Sequence, residues 1–152
     1  MEYNTYHRPR GWGENSFSAF MIMAEENGYA TFQNAKPYYE KLSKIHDIFK
    51  KAIDAMHNSS SWFELLLFIK AHSAFLAASR LGISTQVSEA SPLIRMIIEN
   101  SLYGFFLHKH PEYSETWLRR NESEEAKKEV RRIFVIRTMI DDLKSVNLAL
   151  GE

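Results

Sequence analysis

Ser91-Pro92-Leu93-Ile94-Arg95-Met96-Ile97-Ile98-Glu99-Asn100-Ser101-Leu102-Tyr103-Gly104-Phe105-Phe106-Leu107 is the stretch whose reading decides the fold. Wound as a helix, it points apolar side chains in nearly every direction, which marks a buried helix rather than a surface one. Arg95 and Glu99 stand one turn apart on one face of it, and Leu102 and Phe106 continue that face. Burying charge is costly unless it is paired and hydrogen-bonded. The pair therefore reads in two ways. One is a buried ion pair that sets helix register. The other is a site in a crevice between helices, where Arg95 holds a phosphate or carboxylate and Glu99 orients it or acts as a base. An arginine four residues before a glutamate is the weaker order in an isolated helix, so both side chains are expected to reach groups on other helices.

Working outward, long stretches of 3.6-residue period dominate, strand-like alternation is almost absent, and there is no internal repeat. Residues 1–14 carry aromatics broken by Pro9, Gly11 and Gly13, and read as a short irregular arm. A short helix is expected over Ser16 to Glu26, ended by Gly28. A second spans Ala35 to His57, with Tyr38, Leu42, Ile45, Phe49, Ala52 and Met56 as its core stripe. Ser61 and Glu64 match a capping box that opens a third helix, which runs to Leu81 and stops at Gly82. The fourth begins between Ser84 and Ser91, keeps Pro92 near its first turn and frays near His108. A short helix over Glu112 to Arg120 is anchored by Tyr113 and Trp117. The last starts near Ser123 and reaches Leu150, where either Gly151 caps it or the natural chain continues. The expected fold is a single all-α domain, an antiparallel bundle of about five helices with an irregular N-terminal arm.

His72 and Ser79 fall in the middle of the third helix's apolar face. A histidine there is either a satisfied core residue or, with Ser79, faces Arg95 and Glu99 across a helix pair. Four polar side chains would then converge in a dry interior as a structural network, a ligand pocket or an acid–base site. His108-Lys109-His110 with Glu112 nearby has poor metal-ligand spacing, since helical residues two apart diverge. It reads as a solvated helix end whose cations suit the C-terminal dipole. No metal and no cofactor are expected. Arg119, Arg120, Lys127, Lys128, Arg131, Arg132 and Arg137 alternate with Glu122, Glu124, Glu125 and Glu129, the pattern of a solvated face, so nucleic-acid binding has only weak support. Phosphate-binding glycine loops, nucleophile elbows and zinc-protease motifs are absent.

Composition bounds the rest. The chain has 19 basic and 19 acidic residues and a formal net charge of zero, which removes the electrostatic case for a dedicated nucleic-acid or anionic-membrane binder. It has no cysteine, hence no disulfide, thiolate metal site or cysteine nucleophile. The N-terminus has no apolar core of a signal peptide, and no segment reads as long enough in apolar residues to span a bilayer. The expectation is a cytoplasmic protein with no membrane partner.

The runs Ala71-His72-Ser73 to Arg80-Leu81-Gly82, Leu93-Ile94-Arg95-Met96-Ile97-Ile98-Glu99, then Tyr103, His110-Pro111-Glu112, Trp117-Leu118-Arg119-Arg120 and Phe134 resemble an uncharacterised bacterial all-helical family of unknown function. That family reads Leu-x-Arg-x-x-x-Glu, then Pro-Glu, then Trp-Leu-x-Arg. The resemblance covers under half of the chain. It implies a further helix beyond Leu150 bearing a Gly-Ala-His-Pro-like motif. More distantly the family is similar to HEPN domains, whose ribonucleases carry an arginine followed by four to six residues and a histidine. Here the first histidine after Arg95 is His108. The functional expectation is a non-enzymatic bundle that associates with itself, as a homodimer, or with another protein. The rival is a HEPN-like ribonuclease or small-ligand binder that uses Arg95, Glu99, His72 and Ser79.

Overall fold

The computed structural model describes residues 8–56 and 62–149. These hold six helices of ten or more residues and one short one: α1 (Ser16–Asn34), α2 (Lys36–Met56), α3 (Trp62–Ile83), α4 (Val87–Lys109), α5 (Ser114–Leu118), α6 (Glu124–Ile133) and α7 (Ile136–Ala149). No strand occurs among the described residues, and the fold is the all-α bundle that the periodicity predicts. Of the arm, residues 8–14 form turns, with Trp12 N–H donating to the Pro9 carbonyl. Residues 1–7, the Ser61 half of the capping box and the chain beyond Ala149 lie outside the described residues.

The middle of the molecule is α3, flanked by α2 and α4. Leu67 and Phe68 near the start of α3 meet Gly104 near the end of α4, so the two helices run antiparallel. A Cβ on Gly104 would stand 3.0 Å from the Phe68 ring and 3.4 Å from Leu67 Cβ. The missing side chain lets the two backbones close up, and around this contact sits the main core. It consists of Leu67, Leu102, Phe106, Leu107, Trp117, Phe134 and Met139. Tyr103, Tyr113 and Trp117 pack their rings about Phe134 at centroid distances of 4.7–6.4 Å.

Several boundaries move from where the sequence predicts them. Gly28 does not end α1. A Cβ at Gly28 would stand 3.9 Å from Ile83 Cδ1, an ordinary contact, and one turn on, Thr31 Oγ1 donates to the Ile83 carbonyl at 3.0 Å. The helix runs on through Gly28 at the cost of about 1 kcal/mol of a glycine inside a helix, and the Thr31–Ile83 bond ties its continuation to the end of α3. Nor is Gly82 the cap of α3. The left-handed residue is Thr85, φ 71°, with Thr85 N–H on the Gly82 carbonyl at 3.1 Å and Gln86 N–H on the Leu81 carbonyl at 2.9 Å. That pair of bonds is a Schellman motif with threonine where glycine is usual. Pro92 lies inside α4, five residues past its start at Val87, rather than in its first turn.

The long last helix is two. It breaks at Phe134 and Val135, and the break turns both Phe134 and Met139 into the core. Of the stripe expected on α2, Leu42, Phe49, Ala52 and Met56 are half-buried, while Tyr38 is 69% exposed and Ile45 is exposed; His46 and Ile53 are half-buried beside them.

One helix among the described residues, α3, is long and apolar enough to cross a bilayer by length and composition, with a mean hydropathy of 1.3. This corrects the expectation that no segment qualifies. Its inner face packs on α2 and α4, and its outer face leaves Trp62, Leu66, Ile69 and Leu76 exposed.

Candidate functional site

The four polar residues singled out by the sequence do not form one cluster. Arg95 is not buried: its side chain is 81% exposed, and its Nε donates to Glu99 Oε1 at 2.8 Å. Apolar neighbours on its own helix predict burial, yet burial needs a second element to cover that side, and none of the described elements covers it. Glu99 is half-buried beside Tyr103. Burial and then the Glu99 charge push the Tyr103 hydroxyl above its ordinary pKa.

His72 and Ser79 turn the other way, toward α2. His72 Nε2 lies 2.9 Å from His46 Nδ1, and Phe49 stacks on the His72 ring at 5.5 Å. Burial lowers the His72 pKa, and the nearby His46 and Lys50 lower it further, so the neutral ring is favoured. Below the histidine pair, Leu42, Ser43, His46, Leu76, Ser79 and Arg80 line an open cleft of about 320 Å³. Among the described residues no bond joins the His72 side to the Arg95 side. Sequence reasoning passed over His46 and Arg80. The signal for His46 was present, because Leu42, His46 and Phe49 are spaced four and three apart, as the expected stripe was.

A second polar group closes the other end of the fold. Asp142 on α7 takes Lys109 Nζ on Oδ1 at 2.6 Å and His110 Nε2 against Oδ2 at 3.1 Å. The other imidazole nitrogen of His110 lies 3.3 Å from Glu112 Oε1. The His108-Lys109-His110 run is thus more than a solvated end: Lys109 and His110 tie α4 to α7. Asp142 was invisible as a partner because 32 residues separate it from His110. Among the described residues no group of three or more acidic or histidine side chains is placed to hold a metal ion.

Two cations of the basic run, Arg119 and Lys127, are paired with neighbouring acids. Arg119 bonds Glu122 at 2.8 Å and Lys127 bonds Glu124 at 2.7 Å. The open cleft of about 650 Å³ beside them is lined by Glu112, Glu115, Glu122, Glu125 and Glu129 with Arg119, a surface that repels phosphate.

What stands out is uncovered apolar surface. On α4, Val87, Ile94 and Ile98 are 68%, 50% and 53% exposed. Phe17, Phe20, Met23 and Tyr29 on α1 are exposed as well. Comparison with protein-family models, curated proteins and solved structures finds no match to this chain.

Proposed function

We propose that this protein is a non-enzymatic interaction module that works by presenting the outer faces of α3 and α4 to another protein surface. The supporting observation is the row of exposed aliphatic side chains on these two helices, the most apolar in the chain. Contiguous apolar surface of this kind is rare on free monomers and typical of interaction sites. The polar groups that could do chemistry are instead paired with one another, as Arg95 is with Glu99 and His72 with His46.

The reading has a direct test. In extracts of cells that make the protein, the chain is expected to migrate in an assembly larger than its own 17.7 kDa. Leu76→Glu combined with Ile98→Glu changes two exposed positions and is expected to release the free chain without unfolding it. A wild-type chain that migrates free in those extracts overturns the reading.

One observation favours a second reading, a small-ligand binder. Arg80 at the α2–α3 cleft has no carboxylate partner among the described residues, and Leu42 and Leu76 offer an apolar wall beside it. The HEPN-like ribonuclease reading rests on Arg95 alone. RNA cleavage by the purified protein, lost in an Arg95→Lys variant that melts normally, would replace the module with an enzyme.

A further inference from the structure

The geometry points to a second copy of this chain as the occupant of the α4 face, docked antiparallel across a two-fold axis at the level of residue 96. This rests on the interaction-module reading and specifies its partner.

The uncovered face of α4 runs Val87, Ser91, Ile94, Ile98, Ser101, Phe105, alternately four and three residues apart. That spacing is the seam of a helix pair. Val87, Ile94 and Ile98 are exposed, as is Ser91, and Ser101 and Phe105 are half-buried. The order of sizes is large, small, large, large, small, large, and it reads the same from either end. A two-fold interface demands this kind of self-complementarity, because each contact of residue i with residue j is repeated as j with i. Turned about position 96, Ile94 meets Ile98 of the second copy, Ser91 meets Ser101, and Val87 meets Phe105. The two serine layers let the helices approach, and the isoleucine layers at the centre supply the apolar contact.

The charges agree with a self-partner. The net charge is zero, so copies have no long-range repulsion to overcome. Arg95 lies at the edge of the seam, where the two-fold axis brings it about 3 Å along the helix axis from Arg95 of the second copy. Its bond to Glu99 of its own helix neutralises it there. The outer face of α3 carries Lys70 and Arg80 with no exposed acid among its described residues.

The chain has no cysteine, which makes the test clean. Ser91→Cys and Ser101→Cys are close to isosteric and are introduced into separate chains. Mixed and oxidised, the two are expected to form a disulfide between unlike chains. Neither variant crosslinks alone, because like positions are offset by about 15 Å along the axis, beyond the ~7 Å that a disulfide spans. Thermal melts of the reduced variants matching wild type show that the fold is kept. Crosslinking of Ser91→Cys with itself means parallel pairing and overturns the proposal, as does a dimer that yields no mixed disulfide. Wild-type protein that sediments as a monomer overturns it too. If that monomer still migrates in a larger assembly in cell extracts, the module reading stands with a different partner.

Discussion

Thr85 and Gly82 show how one residue's backbone state departs from its sequence cue. The cue for a helix end is glycine, because a left-handed residue without Cβ satisfies the last carbonyls at no steric cost. Here the helix passes through Gly82, with nothing within 4 Å of where its Cβ would be, and the left-handed residue three positions on is a β-branched threonine. Both residues are therefore the wrong choice for stability. Thr85→Gly removes a left-handed penalty of about 1–2 kcal/mol, at the loss of a long 3.4 Å contact from Asn27 Nδ2. Gly82→Ala restores helix propensity worth about 0.5–1 kcal/mol. Each variant is expected to melt higher than wild type, by a few degrees for a chain of this size. A Thr85→Gly variant with a lower midpoint in thermal or urea unfolding contradicts the placement of the helix end. Arg95 teaches the complementary lesson. Its helix periodicity correctly predicts apolar neighbours, but whether it is buried depends on which second surface covers that side.

At the scale of elements, the helical class, the start of α2 to within a residue and the Ser123 start of α6 were legible, since each rests on periodicity or a local cap; the expected end of α2 at His57 lies outside the described residues. Ser123 Oγ does accept from Ala126 N–H at 3.0 Å. The misplaced features depend on contacts far along the chain. The α1 helix runs past Gly28 to the Thr31–Ile83 bond, α6 and α7 separate because Phe134 is drawn into the rings of Tyr103 and Trp117, and on α2 His46, not Ile45, turns inward because it meets His72. Of the candidate site, the shared helix face of Arg95 and Glu99 was legible from i, i+4 spacing; that they bond each other rather than groups on other helices, and that His72 turns away from them, was not. The α3–α4 contact has the sharpest requirement. Gly104 has Phe68 atoms at 3.0 and 3.1 Å from its Cβ position, and Phe68 is itself buried. Gly104→Val therefore forces the two helices apart and is expected to cost about 1–3 kcal/mol, the range for overpacked cores. Urea unfolding followed by circular dichroism measures it. A midpoint unchanged from wild type means that the close approach at Gly104 is not part of the folded state.

Over the whole molecule, the helices divide into a half held by a true core and a half held by thin contacts. The core gathers α3, α4, α5 and α7 about Phe106, Trp117, Phe134 and Met139, while α1 and α2 bury few side chains and none of α2 is fully buried. Apolar packing closes the first half, but α7 also needs a polar tie, and Asp142 provides it by bridging to Lys109 and His110 at the end of α4. The hydrogen bond from Lys109, helped by that from His110, holds the Asp142 carboxyl below its ordinary pKa, with burial opposing. The sign follows from proton linkage. The folded state binds the Asp142 proton less readily than the unfolded chain, whose aspartates titrate near ~3.9. The contribution of Asp142 is complete above that pH and is lost as pH falls through the lower folded value. Asp142→Asn is thus expected to melt below wild type at about pH 7, with the gap narrowing steadily as the pH is lowered from about 4. Melting both proteins across that range by circular dichroism tests the tie. A gap that is the same at neutral and acid pH would show that the amide disturbs packing alone and that the carboxylate charge does not hold α7 to α4.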